Sequence, residues 1–163
     1  MGRFLSIFIT LLLLGAVVGP ITVFAQPDKA LKADTRCQIC GMFVAKYPNW
    51  VTMLKTPQGE RYFDGVKDLM VFVLNSEQYS VSLSDIKEIW VKDYYTLEWT
   101  DAKACFFVVG SDIYGPMGHE FIPFNSRAGA ENFLADHGGR KILKFSDITI
   151  QRVDSMRVGQ TMR

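Results

Sequence analysis

The order of the predicted elements repeats once along the chain, and this repeat constrains the fold more than any other feature. In the first half, two β-rich runs flank the turn at Thr56–Gly59, which predicts a hairpin because Pro and Gly favour turns. A helix that Asp64 can cap follows, with apolar residues at the spacing of one helical face, and then a third strand. The segments are strands at Trp50–Leu54, Glu60–Phe63 and Glu88–Val91, and a helical face of Val66, Leu69, Met70, Val73 and Leu74.

The second half has the same order of predicted elements, although its amino-acid sequence barely matches that of the first half. A hairpin with a long connection is followed by a helix that Asn125 or Ser126 can cap and that Gly138-Gly139 ends, and then by another strand. Each half is therefore predicted as ββαβ, which gives an α+β fold with mainly antiparallel sheet in one compact domain. The segments are a lead-in at Thr96–Trp99, strands at Ala104–Val109, Glu120–Phe124 and Lys141–Phe145, a loop at Gly110–Gly118, and a helical face of Ala130, Phe133, Leu134 and His137.

The first 25 residues are typical of a secretory signal peptide. Arg3 precedes the apolar run Phe4–Val18, and a Gly-Pro break then leads to Val23–Ala25. A membrane span needs about 20 apolar residues, so we expect cleavage before Gln26 and a protein that is soluble in the periplasm or another extracytoplasmic compartment. Membrane anchoring would require an uncleaved segment, and no cysteine stands at the cleavage point to carry a lipid. We expect residues 26–35 to form a flexible lead-in, 36–154 the folded domain and 155–163 a frayed terminus.

The charge of the mature chain argues against a nucleic-acid partner. Arg3 is the only charged residue in the signal segment, so 17 basic and 17 acidic residues remain after cleavage. A protein that follows a phosphate backbone needs clustered Lys and Arg, whereas the charges of this chain are mixed along the sequence.

Two segments carry soft donor atoms. In the first, Cys37 and Cys40 form a C-x-x-C motif, which in an oxidising compartment can be a disulfide, a redox pair or half of a metal site. A structural zinc site would need two further ligands, and no second C-x-x-C or paired His occurs. A redox pair usually opens a helix, but the sequence from Gly41 to Pro48 does not predict one, which favours the metal site.

The second segment is Gly115–Glu120. Met117 lies between two glycines in a stretch without apolar periodicity, so packing does not explain it. Thiolate and thioether sulfur favour Cu(I), and a copper carrier is therefore the leading hypothesis. His119 can be a ligand, a hydrogen-bond partner of a ligand or an exposed strand residue.

The remaining residues of these types have ordinary structural explanations. Cys105, Met53 and Met70 fall in apolar runs and are expected in the core, and His137 is expected to end a helix. The aspartates are interpreted as caps or turn residues, so no acid–base pair and no enzymatic activity are predicted. They are Asp64, Asp68, Asp85, Asp93 and Asp112.

Several motifs together resemble the NosL family, over residues of about 37 to 148. They are Cys40–Met42, Tyr62–Asp64, Trp90–Asp93, Val109–Phe124 and His137–Gly139. NosL proteins are copper-binding accessory factors for the assembly of nitrous oxide reductase, an enzyme of denitrification. The resemblance implies Cu(I) delivery outside the cytoplasm, and two ββαβ units related to the core of organomercurial lyase.

The resemblance also implies a ligand set. Cys40, Met42 and Met117 correspond to the soft-ligand positions of the family, with His119 as an additional ligand. Cys37 is an extra thiol that can join the site, displace Met42 or form a disulfide with Cys40. The implied partners are the copper ion and either a client cuproenzyme, nitrous oxide reductase first among them, or a membrane copper-delivery machinery. The alternative function is a periplasmic thiol-disulfide protein that uses Cys37 and Cys40.

Overall fold

A computed structural model describes residues 31–157 of the chain. The expected signal segment, residues 1–25, lies outside the described residues, as do 26–30 and 158–163. The helices and strands of the described part are β1 Thr52–Thr56, β2 Gly59–Phe63, α1 Val66–Leu74, β3 Glu88–Lys92, β4 Trp99–Asp101, β5 Phe106–Val109, β6 Tyr114–Gly115, β7 Gly118–His119, β8 Ile122–Phe124, α2 Arg127–Asp136, β9 Lys141–Lys144 and α3 Ile150–Arg157.

The two predicted half-repeats are confirmed by the topology of the sheets. The first half forms a sheet in the order β2-β1-β3-β4, and the second forms one in the order β8-β5-β9. In both, the first strand of the hairpin lies between the second strand and the strand that follows the helix. Every pair of neighbouring strands in these sheets is antiparallel, as predicted.

The connection between β5 and β8 is more ordered than the single loop predicted for 110–118. It contains the small antiparallel hairpin β6–β7, in which Tyr114 pairs with His119 and Gly115 with Gly118. Gly118 has a φ of +87°, a conformation that L side chains rarely adopt, so glycine makes this tight turn feasible. The strand expected from residue 120 begins only at Ile122, and Glu120 is left as a buried residue between β7 and β8.

Helix α1 is buried on nearly all sides, not only on the predicted apolar face. It contacts β1 and β2 on one side and α3 on another. The exposed end of the helix is Leu74, which is 39% exposed although the pattern predicts it on the buried face. Lys67 and Asp68 are buried with the apolar residues, and a buried charge requires specific partners.

The ends of the second helix follow the sequence signals. The hydroxyl of Ser126 caps α2 by accepting a hydrogen bond from the Gly129 N–H at 3.1 Å. At the other end, the Gly139 N–H donates to the Leu134 carbonyl while Gly138 takes a φ of +58°. This is the glycine-dependent helix ending that the sequence predicts.

The expectation of a frayed terminus from residue 155 is wrong for Ser155–Arg157, which belong to α3. Val153 is fully buried and Met156 is 4% exposed. These two side chains are three positions apart, the spacing of one helical face, and α3 packs on α1. The packing therefore orders a segment whose weak local pattern does not predict a helix.

Asp93 links the two halves by hydrogen bonds. Its carboxylate accepts hydrogen bonds from the backbone N–H of Tyr95 and Thr96 in its own loop, and from the Asn125 N–H of the second half at 2.8 Å. The Tyr94 N–H also donates to the Pro123 carbonyl in β8 at 2.9 Å.

Candidate metal centre

The C-x-x-C segment folds into a tight turn that brings the thiols of Cys37 and Cys40 within 4.8 Å of each other. Arg36 and Phe43 form an isolated antiparallel bridge that closes the turn. Inside it, the Cys37 N–H donates to the Met42 carbonyl at 2.8 Å, and the Gly41 N–H donates to the Cys37 carbonyl at 3.1 Å. Gly41 has a φ of +77°, so a glycine is favoured where the chain reverses.

The turn packs against the start of α1, which supplies two carboxylates. Asp64 directly follows β2, and Asp68 lies in the first turn of α1. The Cys37 thiol donates to Asp68 Oδ2 at 3.3 Å, and the Cys40 thiol donates to Asp64 Oδ2 at 3.5 Å.

These four side chains form a donor set suited to a metal ion. One ligand atom from each of Cys37, Cys40, Asp64 and Asp68 lies within 4.8 Å of the others. Asp64 is 1% exposed, yet its second oxygen, Oδ1, has no hydrogen-bond partner. A buried carboxylate oxygen without a partner is energetically costly, and a cation would remove that cost.

Burial controls the protonation of both thiols. It raises the pKa of Cys40 to about 11. The Met42 N–H opposes this rise, because it donates a hydrogen bond to the sulfur and thereby favours the thiolate. Burial likewise raises the pKa of Cys37 above its ordinary value, although the backbone N–H groups of Cys40, Ile39 and Asp64 favour its thiolate. In the metal-free protein both groups are therefore neutral thiols, and a bound cation would have to displace their protons.

The same shifts argue against the thiol-disulfide alternative. A catalytic redox cysteine is activated by a lowered pKa, usually at a helix N-terminus or beside a cation. Cys37 and Cys40 lie in a turn beside two carboxylates, and their pKa values move upward. All three cysteines of the chain are free thiols in the structure.

The pKa of Asp68 depends on the same neighbouring groups. Burial raises its pKa, and the neighbouring Asp64 adds to the rise, whereas hydrogen bonds from the thiols and the charge of Lys67 oppose it. Two buried carboxylates beside a buried and a half-buried thiol thus disfavour further negative charge unless a cation enters.

The other predicted ligands lie in two places. Met42 is half-buried in the C-x-x-C turn itself. Met117 is 48% exposed at the turn of the β6–β7 hairpin, and the His119 ring packs against Tyr114 with centroids 4.8 Å apart. The hairpin reaches the start of α1 through its backbone, because the Lys67 ammonium donates to the carbonyls of Met117 and His119 at 2.7 and 2.9 Å. The structure thus brings the segment of Met117 to the helix that carries Asp68.

Asp64 and Asp68 are the candidate ligands that the sequence analysis missed. Their interpretation as cap or turn residues is wrong: the N-cap of α1 is Gly65, which has no side chain to cap with, and both carboxylates face the thiols. The sequence shows two carboxylates between a strand and the start of a helix, but it does not reveal that the distant C-x-x-C turn packs against them.

The residues assigned to the core are confirmed there. Cys105 is fully buried and its thiol donates to the Asp101 carbonyl at 3.3 Å. Met53 and Met70 are also buried. His137 ends α2, where its ring nitrogen Nδ1 lies 3.0 Å from Asp112 Oδ1.

A family model, a curated relative and a solved structure all relate the chain to NosL proteins. The family described as NosL matches residues 28–153 of the chain. A copper-binding lipoprotein NosL from Stutzerimonas stutzeri is 27% identical over 141 residues, which cover 80% of this chain and 72% of the relative. The crystal structure of the copper chaperone NosL from Shewanella denitrificans superposes with a TM-score of 0.68 at 27% identity, over 78% of this chain and 98% of that one. Within residues 31–157, none of the helices has the length and apolar character needed to cross a membrane.

Proposed function

Since the chain belongs to the NosL family, we propose that it is a metallochaperone that binds Cu(I) outside the cytoplasm and delivers it to an exported cuproenzyme, first of all nitrous oxide reductase. The observation that carries the proposal is the cluster of Cys37, Cys40, Asp64 and Asp68, whose ligand atoms lie within 4.8 Å of one another. The name of the relative from Stutzerimonas stutzeri, a copper-binding lipoprotein, supports copper as the metal.

The donor atoms favour a soft ion. The two thiols supply thiolate sulfur, which prefers Cu(I) or zinc to hard cations such as magnesium. Met42 follows Cys40 in the same turn, and Met117 lies on the hairpin that Lys67 holds against α1. Thioether sulfur suits Cu(I), whereas zinc sites in proteins use Cys, His, Asp and Glu, so these methionines favour copper.

We assign distinct roles to the two kinds of residue. Cys40 and Cys37 bind the ion as thiolates, and Met42 and Met117 complete the coordination, with His119 as an additional ligand. Asp64 and Asp68 accept the thiol hydrogen bonds in the metal-free protein and offer carboxylate oxygens to the cation when it is bound. Cys37 therefore joins the site and does not displace Met42.

The exposure of the ligands suits a carrier, which must release its cargo. Cys37 is buried, Cys40 is half-buried, and Met117 is 48% exposed. A ligand from a client can enter from the side of Met117 and form a shared intermediate before the thiolates leave. The copper ion is thus transferred by ligand exchange and is never free in solution.

A competition titration tests the assignment of ligands. The reduced protein is titrated anaerobically with Cu(I) against a chromophoric chelator of known affinity. We expect Cys40→Ser and Cys37→Ser to lower affinity at least about 100-fold, which corresponds to about 2.7 kcal/mol, and Met117→Leu to lower it about tenfold. Circular dichroism must show that the fold persists. Unchanged affinity in Cys40→Ser and Met117→Leu would refute the site.

Matched controls use residues of the same type in the core. Cys105→Ser and Met53→Leu change the same kinds of side chain outside the proposed site and should leave Cu(I) affinity unchanged. X-ray absorption of the copper-loaded protein then counts sulfur against nitrogen and oxygen neighbours. The same titration with Zn(II) tests selectivity, since preferential binding of zinc would contradict the role of the methionines.

A gene disruption in the native organism tests whether nitrous oxide reductase is the client. Disruption of the gene for this chain should yield nitrous oxide reductase with reduced copper content, and the wild-type gene should restore it whereas the Cys40→Ser gene should not. The mature protein recovered from the periplasm should begin at Gln26. Full copper content in the disrupted strain would exclude nitrous oxide reductase as the dependent client.

A further inference from the structure

Glu120 lies buried between the start of α1 and the β6–β7 hairpin. Its Oε1 accepts hydrogen bonds from the Lys67 N–H at 2.6 Å and from the Phe121 N–H at 2.9 Å. The first of these satisfies a backbone donor at the N-terminus of α1, because the N-cap residue Gly65 has no side chain. A residue 53 positions away from Lys67 thus caps the helix.

The space around Glu120 is closed on two sides by glycines. A Cβ atom at Gly65 would overlap Glu120 Oε2, and one at Gly115 would come within 3.1 Å of Glu120 Cγ. The φ of Gly65 is −175°, which any residue adopts. A larger residue at position 65 would therefore force the Glu120 carboxyl group to move, and this group is tightly enclosed between helix and hairpin.

Lys67 forms the second connection between the same two elements. Its side chain is 2% exposed, and its ammonium donates to the carbonyls of Met117 and His119 on either side of Gly118. Charge-assisted hydrogen bonds of this kind are stronger than neutral ones. The backbone N–H of Lys67 binds Glu120 while its side chain binds the hairpin, so a single residue anchors both ends of the segment from Met117 to Glu120.

The helix turn that holds this segment is the one that carries Asp68. Lys67 directly precedes Asp68, and Gly65 directly follows Asp64. The contacts of Lys67 and Glu120 therefore fix the Met117 segment relative to the thiols, which are hydrogen-bonded to these same aspartates.

We propose that Lys67 and Glu120 are positioning residues of the copper site: they hold the Met117–His119 hairpin against the first turn of α1, so that the thioether is placed beside the thiols before copper binds. This inference rests on the proposed function. A ligand that is already in place loses less conformational freedom on binding, and affinity rises accordingly.

The test compares Lys67→Met and Glu120→Gln with the wild-type protein and with Lys55→Met as a control. Lys55 forms an ion pair with Glu88 in the first sheet, at 2.9 Å. Lys67→Met removes the bonds to the hairpin and should lower Cu(I) affinity about tenfold, as Met117→Leu does. Glu120→Gln keeps the shape of the side chain and should have a smaller effect in the same direction. Lys67→Arg, which retains the charge and the donors, should recover part of the loss.

Two further measurements separate positioning from a general effect on the fold. In the metal-free protein, hydrogen exchange of the amides at 114–119 should accelerate in Lys67→Met, whereas exchange in β1 and β3 should not change. In the copper-loaded protein, the number of sulfur neighbours should fall by one. Lys67→Met should have no further effect on affinity in the Met117→Leu background, because the residue to be positioned is gone.

The outcomes distinguish this inference from the proposed function. Failure of the wild-type protein to bind Cu(I) overturns both. Normal binding by the wild-type together with unchanged affinity and sulfur count in Lys67→Met overturns the positioning role alone. An equal loss of affinity in the Met117→Leu background also overturns it, since Lys67 would then act on the thiols without involving Met117.

Discussion

The thiol of Cys37 and the carboxylate of Asp68 are hydrogen-bonded at 3.3 Å, although 31 positions separate them in the chain. Both side chains are buried, so the contact is shielded from solvent. The thiol proton occupies a position between sulfur and oxygen that a metal cation could take. Metal uptake and proton release are therefore linked in this site.

Copper affinity should rise with pH. The pKa of Cys40 is raised to about 11 and that of Cys37 is raised as well, so both thiols are protonated near neutral pH and each must lose its proton when it binds. Release of one proton raises the apparent affinity about tenfold per pH unit, and release of two raises it about 100-fold. Competition titrations between pH 6 and 8 measure this slope.

The control for the pH dependence is Cys37→Ser, which leaves one thiol. Its slope should fall toward that expected for a single proton. A flat profile in the wild-type protein would contradict the protonated state of the thiols, and calorimetry in buffers of different ionisation enthalpy counts the protons independently.

Asp64→Asn should weaken metal binding without unfolding the metal-free protein. One carboxylate oxygen of Asp64 already lacks a partner, so replacing the carboxylate by an amide of the same shape should change the free energy of unfolding by no more than about 1 kcal/mol. The substitution removes an anionic oxygen donor from the four-residue cluster, which should lower Cu(I) affinity. Asp136→Asn, on the exposed side of α2, is the matched control. Unchanged affinity in Asp64→Asn would exclude a role for this carboxylate.

The stability of the metal-free protein should fall as the pH rises from 5 to 9, relative to the Glu120→Gln variant. Burial raises the pKa of Glu120 from 4.5 to about 8. Below pH 4.5 the group is protonated in both the folded and the unfolded chain, so its contribution to stability is fully present. Between pH 4.5 and about 8 only the unfolded chain ionises, so the contribution is lost progressively and is gone above about 8. Thermal melts should show the difference in Tm changing by at least about 3 °C in favour of the variant.

A constant difference in Tm across this range would contradict the burial of the Glu120 carboxyl group. Glu98→Gln, a change at an exposed residue, provides the baseline for removal of one acidic group.

Gly65→Ala should destabilise the fold through Glu120. The added methyl group would overlap the Glu120 carboxylate, and overpacking of this kind costs about 1 to 3 kcal/mol. The double variant Gly65→Ala with Glu120→Ala removes the overlap and should be more stable than the sum of the two single changes predicts, by about 1 kcal/mol. Urea unfolding of the four proteins measures the coupling, and strict additivity would argue against the contact.

Cys105→Ala should affect stability but not copper binding. Cys105 is fully buried and its thiol donates to the Asp101 carbonyl, so truncation should cost about 1 to 2 kcal/mol. Thermal unfolding measures the loss, and the competition titration should give the wild-type affinity. A change in affinity would mean that the third cysteine takes part in the site.

The elements of the fold could be predicted because their signals are local. The Thr56–Gly59 turn, the Ser126 cap and the Gly138-Gly139 helix end each depend on a few adjacent residues, and the structure confirms all three. Helix α3 could not be predicted to reach Arg157, because its order comes from packing on α1 and not from its own pattern.

The same distinction applies to the candidate site. The sequence by itself determined the C-x-x-C turn and drew attention to Met42, Met117 and His119, because donor atoms and glycines at short spacing restrict what a segment can do. Only the tertiary structure decided that Asp64 and Asp68 face the thiols and that Glu120 caps α1. The physical reason is that these contacts join groups 24 to 53 positions apart. They form only when folding packs these distant segments against one another, and no local pattern encodes them.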